Sequence, residues 1–374
     1  MLRILHTSDW HLGCPFSRFR ARERIRLTEA RFAALRNLLV EAHRQQVHAV
    51  LCAGDLFDDS NPRKEVWQRL AHILSEHGTG CPVVLLPGNH DPLVDGSMWQ
   101  PDSPLRARLP EHVHVVDRDD FRLELAEGAQ LYAVPLRARK SAQDPVTKIP
   151  AREEGDTSIR IGLVHGQTFQ IGDQGAAHPV GLDLAEKRGL DYLALGDTHG
   201  FREIEGTGSA KVVYSGTHET TNFGEVDSGH VALVSFRRRS RRATVRKVQV
   251  GTLRWSSEAL ESKEEVDRFL ARAHDQSVLS LDVSGRYAPD DYAAVEERLD
   301  ELEGTDEVEG LSAACRVTRR LEMSTENMAE LLIDAPEELQ KAAALLEERR
   351  GTVEPEVVER AMAQLLQIAR EVSR

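Results

Sequence analysis

The chain has 374 residues, 40% hydrophobic and 29% charged, with a net charge of −13. That length can bury a sizeable core and exceeds most single domains, so one large domain with at least one smaller unit is expected. No run of 18 apolar residues occurs, which argues against a membrane-spanning helix, and the opening MLRILHTSD turns polar too soon for a signal peptide.

Charge is divided unevenly. Residues 251–374 hold 15 of the 48 Lys and Arg and 29 of the 61 Asp and Glu, a charge of −14, which leaves the first 250 residues at +1. An acidic total argues against nucleic-acid binding; the division weakens that objection, because the first part could face a polyanion once cations are bound. Four cysteines (Cys14, Cys52, Cys81, Cys315) without a CxxC pair speak against structural zinc and a disulfide framework and fit a reducing cytoplasm.

In chain order, LRILHTSD reads as a buried strand, and the following segment as a long helix with Ile25, Phe32, Leu35, Leu38 and Leu39 near one face. HAVLCAGD is the next strand, residues 62–77 the next helix and PVVLLPGN the third strand; IRIGLVH and DYLALGD follow later. This alternation predicts an α/β core with helices outside. Residues 111–136 and 211–250 are strand-rich and are expected to extend the sheets with antiparallel strands. KSAQDPVTKIPAREEGDTS (140–158) reads as a polar surface loop. From 251 the character changes: VLSLDVSGRY, DDYAAVEERLDELEG and an irregular stretch read as a small α+β unit. Two amphipathic helices follow from about 336, the first with Gly351 as its stop. The expected domains are 1–250, 251–333 and 334–374.

Five of the strand-like runs end in metal-competent residues: Asp9 and His11, Asp55, Asn89 and His90, His165, then Asp197 and His199. Ligands of open α/β sheets bind beyond the carboxyl ends of the strands, so topology alone converges these segments. Carboxylates, imidazoles and one amide suit manganese, iron or zinc. Seven candidate ligands exceed the need of one ion and suit two ions sharing a bridging carboxylate, the usual device for phosphoester hydrolysis. Gly54, Gly88, Gly166 and Gly196 are read as allowing tight turns at the rim.

The ordered motifs Asp-X-His, Gly-Asp, Gly-Asn-His-Asp, His-Gly and Gly-X-X-His resemble the calcineurin-like metallophosphoesterases over about residues 1–236. The wording HTSDWHLG…GDLFD…PGNHDP is similar to the SbcD-type DNA-repair nuclease subunits. The resemblance implies a four-layer α/β/β/α metallophosphoesterase sandwich with a small α+β cap and C-terminal helices. It implies that Asp9, His11 and His199 hold a first metal, that Asp55 bridges, and that Asn89, His165 and Asp197 hold a second. His90 would be the non-ligand imidazole beside the scissile phosphate. The implied activity is manganese-dependent DNA exo- and endonuclease, with iron or zinc as alternative metals. The implied partners are DNA, an SMC-like coiled-coil ATPase of SbcC type and a second copy of the chain. The family usually reads Gly-His-X-His at its last motif, whereas this chain reads Gly-Asp-Thr-His. Asp197 is a harder, more anionic ligand than imidazole and tilts the site toward manganese. A phosphodiesterase or phosphatase for a non-DNA phosphoester, and a DNA-end tethering protein without turnover, are the competing readings.

Outside the motifs, His6 is assigned to packing or to supporting a ligand, and His43, His72, His112 and His218 to surface or core. Asp58 and Asp91 are read either as orienters of a neighbouring group or as solvated turn carboxylates. RRRSRRATVRK (237–247) reads as a solvated hairpin turn, with phosphate contact through Arg238 and Arg239 as the alternative. In the last two helices, Leu339, Leu345, Leu346, Leu365 and Ile368 form a second face that could dock a partner.

Overall fold

The computed structural model describes residues 1–77, 80–168, 177–205, 208–237, 240–272, 277–304, 314–324, 332–333, 335–349 and 355–372. The chain divides into two compact units, Met1–Leu253 and Arg254–Arg374. In the first, the elements run β1 (Leu2–Thr7), α1 (Ala21–Arg44), β2 (Ala49–Cys52), α2 (Lys64–Glu76), β3 (Val83–Leu85), β4 (Val113–Val115), β5 (Phe121–Ala126), β6 (Ala129–Ala133), β7 (Ile159–His165), β8 (Gln167–Thr168), β9 (Pro179–Val180), α3 (Leu184–Lys187), β10 (Tyr192–Gly196), β11 (Arg202–Ile204), β12 (Lys211–Tyr214), β13 (His230–Phe236) and β14 (Ala243–Gln249).

Twelve of these strands make two six-stranded sheets, ordered β14-β13-β1-β2-β3-β4 and β11-β12-β10-β7-β6-β5, and β8 pairs with β9. The alternation of side chains along each strand separates two faces. Ile4, Ala49, Leu51 and Val84 of one sheet pack with Leu131, Ile161, Leu163 and Ala194 of the other, forming the central core. Leu5, Val50, Cys52 and Leu85 point the other way, onto Phe32, Leu35, Leu38 and Leu39 of α1 and Trp67 and Leu70 of α2. Val164, Leu193, Leu195 and Tyr214 line the far side, where the cover is thin: a 3-10 turn at Pro145–Lys148 and the single turn α3. The layers are thus α/β/β/α with a reduced fourth layer. Ile25 does not join the buried face of α1. Burial begins at Leu27, and Ile25 in the first turns is 66% exposed.

The strand-rich stretches 111–136 and 211–250 are only partly antiparallel. β5, β11, β13 and β14 pair that way, but β4, β6 and β12 run parallel to β3, β7 and β10. Long crossovers precede β4 and β7 and allow parallel pairing. RRRSRRATVRK does span a hairpin, between β13 and β14; Arg238 and Arg239 lie outside the described residues.

The second unit begins with β15 (Arg254–Leu260), α4 (Lys263–Leu270), β16 (Ser277–Tyr287), α5 (Pro289–Glu303) and β17 (Ala314–Met323) and ends with α6 (Glu337–Glu348) and α7 (Pro355–Val372). Its three strands pair in parallel in the order β15-β16-β17. The stretch after α5, expected to be irregular, contains the ten-residue strand β17. Cys315, Val317 and Leu321 do alternate toward the core, but Arg319 interrupts them and is held by Glu296, Asp300 and Glu303. That charge hid the strand pattern. In the final hairpin, Leu339, Leu346 and Leu365 pack against Ala343, Val358, Met362 and Leu366 and so belong to its interior. Leu345 and Ile368 remain exposed, with Val357 and Val372. Gly351 lies outside the described residues.

No helix among the described residues is long and apolar enough to cross a membrane. None of the four cysteines forms a disulfide among the described residues.

Candidate metal centre

Strand register brings the five chemistry-bearing ends to one level. Cys52 pairs with Thr7 on one side and Leu85 on the other, and Gly196 pairs with His165 in the second sheet. Beyond β1 and β2 the ladder continues irregularly: Asp9 N–H donates to Gly54 O (3.0 Å), His11 N–H to Asp55 O (2.9 Å) and Leu12 N–H to Leu56 O (2.8 Å). Asp9, His11, Asp55 and Asp197 all have positive φ (53°, 39°, 53° and 101°). Such backbone costs on the order of 1–3 kcal/mol per residue and persists where surrounding bonds over-determine it. The strain turns four side chains inward toward one another.

Gly88 and Gly196 serve close approach rather than a left-handed turn. A Cβ on Gly88 would overlap the Asp55 carboxylate, and one on Gly196 would overlap Ala53 O and the His165 ring. Gly54 (φ +96°) does turn left-handed, and a Cβ there would also meet the His165 ring.

All eight residues read from the sequence gather here. Asp9, His11 and His199 form one cluster and Asp9, Asp55 and His165 another; within each, the ligand atoms lie within 4.8 Å of one another. Asp55 accepts from His90 N–H through Oδ1 (2.9 Å), which leaves Oδ2 between His11 Nε2 (3.8 Å) and His165 Nε2 (3.4 Å). Asn89 Oδ1 stands 2.6 Å from His165 Nε2, and Asp197 Oδ1 3.7 Å from it. Asp197 N–H donates to Asp9 Oδ1 (3.0 Å). His90 is exposed; its Nδ1 is 3.3 Å from Asp58 O, and its ring meets the His11 ring edge-on at 4.8 Å.

The imidazole protons can be placed from their partners. A carboxylate or a carbonyl only accepts, so the nitrogen facing it donates. His11 Nδ1 faces Asp58 (3.1 Å), His199 Nδ1 faces Glu225 (2.7 Å) and His165 Nδ1 faces Ala53 O (2.7 Å). In the neutral rings, every Nε2 therefore presents a lone pair to the centre. His11 Nε2 and His199 Nε2 are 3.1 Å apart, and His165 Nε2 confronts the amide oxygen of Asn89. Acceptors facing acceptors at these distances require protons or cations between them. The buried Asp197 Oδ2 has no hydrogen-bond partner among the described residues. This donor set fits divalent cations.

Titration reflects the same crowding. Burial opposes charge on His165, but Asp55, Asp9 and Asp197 outweigh it and hold the ring well above the ordinary imidazole value. His199 is also raised: burial lowers it, and Glu225 and Asp9 more than compensate. Asp55 is held low because the His165 and His11 charges overcome its burial. Burial pushes Asp197 up, and the Asp9 charge adds to that against the pull of His165.

Several supporting residues carried no sequence signal. Glu225 and Thr221 reach His199 from the segment between β12 and β13. Thr217 Oγ1 donates to Asp9 O (2.7 Å). Arg31 of α1 lies fully buried beneath the rim, donating to Trp10 O, Asp9 O and Glu219 O. Asp58 orients His11, while Asp91 accepts from Phe57 N–H (3.0 Å) and Gly88 N–H (2.9 Å), tying two rim loops together. His6 is buried against the Tyr192 hydroxyl (2.9 Å), and His218 is buried with Nε2 on Arg31 O.

Residues 2–201 match the Calcineurin-like phosphoesterase family, and the chain belongs to it. The fold of this family is one that uses two divalent metal ions. The chain is 29% identical to the uncharacterized metallophosphoesterase YhaO of Bacillus subtilis (strain 168), over 61% of this chain and 56% of that one. It is 42% identical to the SbcD component of the nuclease SbcCD of Escherichia coli (strain K12), over 24% of this chain and 21% of that one. It is 26% identical to the DNA double-strand break repair protein Mre11 of Methanosarcina acetivorans, over 60% of this chain and 35% of that one. The chain therefore spans about half or less of the length of these relatives.

Proposed function

We propose that this protein is a manganese-dependent DNA exo- and endonuclease acting in double-strand-break repair with an SMC-like coiled-coil ATPase of SbcC type. The observation that carries the metal-dependent part is the convergence of Asp9, His11 and His199 in one cluster and of Asp9, Asp55 and His165 in another. Asp9, His11 and His199 would hold one cation and Asn89, His165 and Asp197 the other, with Asp55 shared between them. The chemistry so supplied would be the offset of charge on the phosphoryl oxygens and a water made nucleophilic near neutral pH.

The remaining work falls to the chain itself. His90 N–H fixes Asp55 so that its free oxygen faces both imidazoles. Asp58 O accepts from His90 Nδ1, which leaves Nε2 of the exposed ring for the substrate. From Nε2 the protonated ring donates to the leaving oxygen of the scissile phosphodiester. Asp58, Glu225 and Ala53 O hold the proton of each ligating imidazole at Nδ1.

DNA as substrate is supported by relatives named as a nuclease component and a double-strand break repair protein. The proposed protein is a cytoplasmic homodimer with residues 1–250 as nuclease domain, 251–333 as cap and 334–374 as partner-docking segment; the boundary near residue 250 is supported by the compact units Met1–Leu253 and Arg254–Arg374. The second reading is a phosphodiesterase or phosphatase for a non-DNA phosphoester, favoured by Asp197 and by the acidic last third. Digestion of a linear duplex with manganese, alongside a small aryl phosphodiester, separates the two. Hydrolysis of both supports the nuclease; turnover of the aryl ester alone supports the second reading. Removing the segment beyond residue 251 should cost DNA cleavage and spare the aryl ester.

A further inference from the structure

We infer that Glu225 is a positioning residue that sets, through His199, the affinity of one of the two cation positions, the one shared with Asp9 and His11. This deepens the metal-dependent reading and rests on it.

Glu225 comes from the segment between β12 and β13, 26 residues from His199. Its Oε1 lies 2.7 Å from His199 Nδ1. The carboxylate is itself held at both oxygens: Oε2 accepts from Thr221 N–H (2.8 Å), and Oε1 accepts from the Thr221 hydroxyl. The Glu225 side chain is only 13% exposed, so water does not readily replace these bonds. Held this way, the carboxylate can only accept from Nδ1. The ring keeps its proton there and keeps the Nε2 lone pair toward His11 Nε2. A negative charge behind the ring also makes that lone pair a stronger donor.

Remove the charge and both restraints weaken. A glutamine can accept from or donate to Nδ1, so it permits the tautomer with the proton on Nε2, which cannot ligate. No equivalent dependence exists on the other side, where His165 Nδ1 donates to the backbone carbonyl of Ala53. The effect of Glu225 is therefore confined to one position of the pair.

The test titrates manganese into the metal-stripped full chain by calorimetry, comparing wild type with Glu225→Gln. The expected result is two ions per wild-type chain, with one step weakened in the variant by about 10- to 100-fold and the other left within about twofold. The metal-free melting temperature should not move. With a small aryl phosphodiester, the manganese concentration for half-maximal hydrolysis should rise by the same factor. Thr221→Val, which removes one of the two bonds to Glu225 Oε1, should act in the same direction and less strongly. Two unchanged steps in Glu225→Gln, or two steps weakened equally with a fall in melting temperature, would overturn the role of Glu225. A wild-type chain that binds fewer than two ions would overturn the metal-centre reading as well, so the two failures are told apart.

Discussion

The two sides of the rim hold their imidazoles by different means. On one side His11 and His199 each donate to a side-chain carboxylate, Asp58 and Glu225. On the other His165 donates to the Ala53 carbonyl, and its companions are an amide, Asn89, and a carboxylate, Asp197. The first side gains basicity from charge placed behind each ring, and depends on loops to keep it there. The second takes orientation from backbone at the end of β2 and places its charge directly at the centre. A single substitution can therefore disable one side without touching the other.

The largest effect should come where the sides meet. Asp55→Asn removes the charge of the shared oxygen, and both manganese steps should disappear with activity; retention of two ions in calorimetry would mean that Asp55 serves one side only. Next is a change that leaves both sides intact. His90→Asn should bind two ions normally while phosphodiester hydrolysis falls about 10²–10⁴-fold, and an active variant would remove His90 from the chemistry.

Stability separates the sides less sharply. Arg31 braces the Asp9–Trp10 backbone and Glu219 O, and Asp9 stands in both clusters. Arg31→Met strands several buried carbonyls, and urea unfolding of the metal-free chain should show a loss of about 3 kcal/mol. A smaller change is expected from pH, through buried histidines outside the centre. Burial pushes His6 down to about 3, with only the Leu195 backbone opposing, so it folds neutral. The unfolded state takes up its proton below about 6.5. Stability from His6 is thus complete above that pH and declines as pH falls toward 3. Between pH 7 and pH 5 it should amount to about 2 kcal/mol, measured as the difference in urea stability between wild type and His6→Gln. A pH-independent difference would show that His6 takes up its proton equally in the folded and unfolded states. The smallest change is a preference: Asp197→His should raise zinc affinity relative to manganese on the second side only. An equal shift of both calorimetric steps would contradict the division of ligands.

Much of the candidate site was legible because each proposed ligand follows an apolar run in a short motif. Local sequence carries both the strand and the residue at its end, and parallel pairing forces such ends together. The braces were not legible. Glu225, Thr217 and Arg31 lie in segments whose local pattern is that of an ordinary loop or helix, and only the tertiary structure brings them to the rim. Asp58 stood as an even choice between solvent and support until His11 was seen beside it. Ile25 and β17 failed for the converse reason. Periodicity reports which face of an element is apolar, but not where along its length a partner begins, and it is blind to an arginine neutralised by three acids.

By itself, then, the sequence determined the α/β alternation, the order of the five strand ends and the identities of the eight groups gathered there, since these depend on short-range pattern and residue chemistry. Tertiary structure alone decided which nitrogen of each ring faces the centre, which charges stand behind the rings, and that one side leans on side chains where the other leans on backbone. Those properties depend on contacts between segments tens to hundreds of residues apart, and no local spacing encodes them.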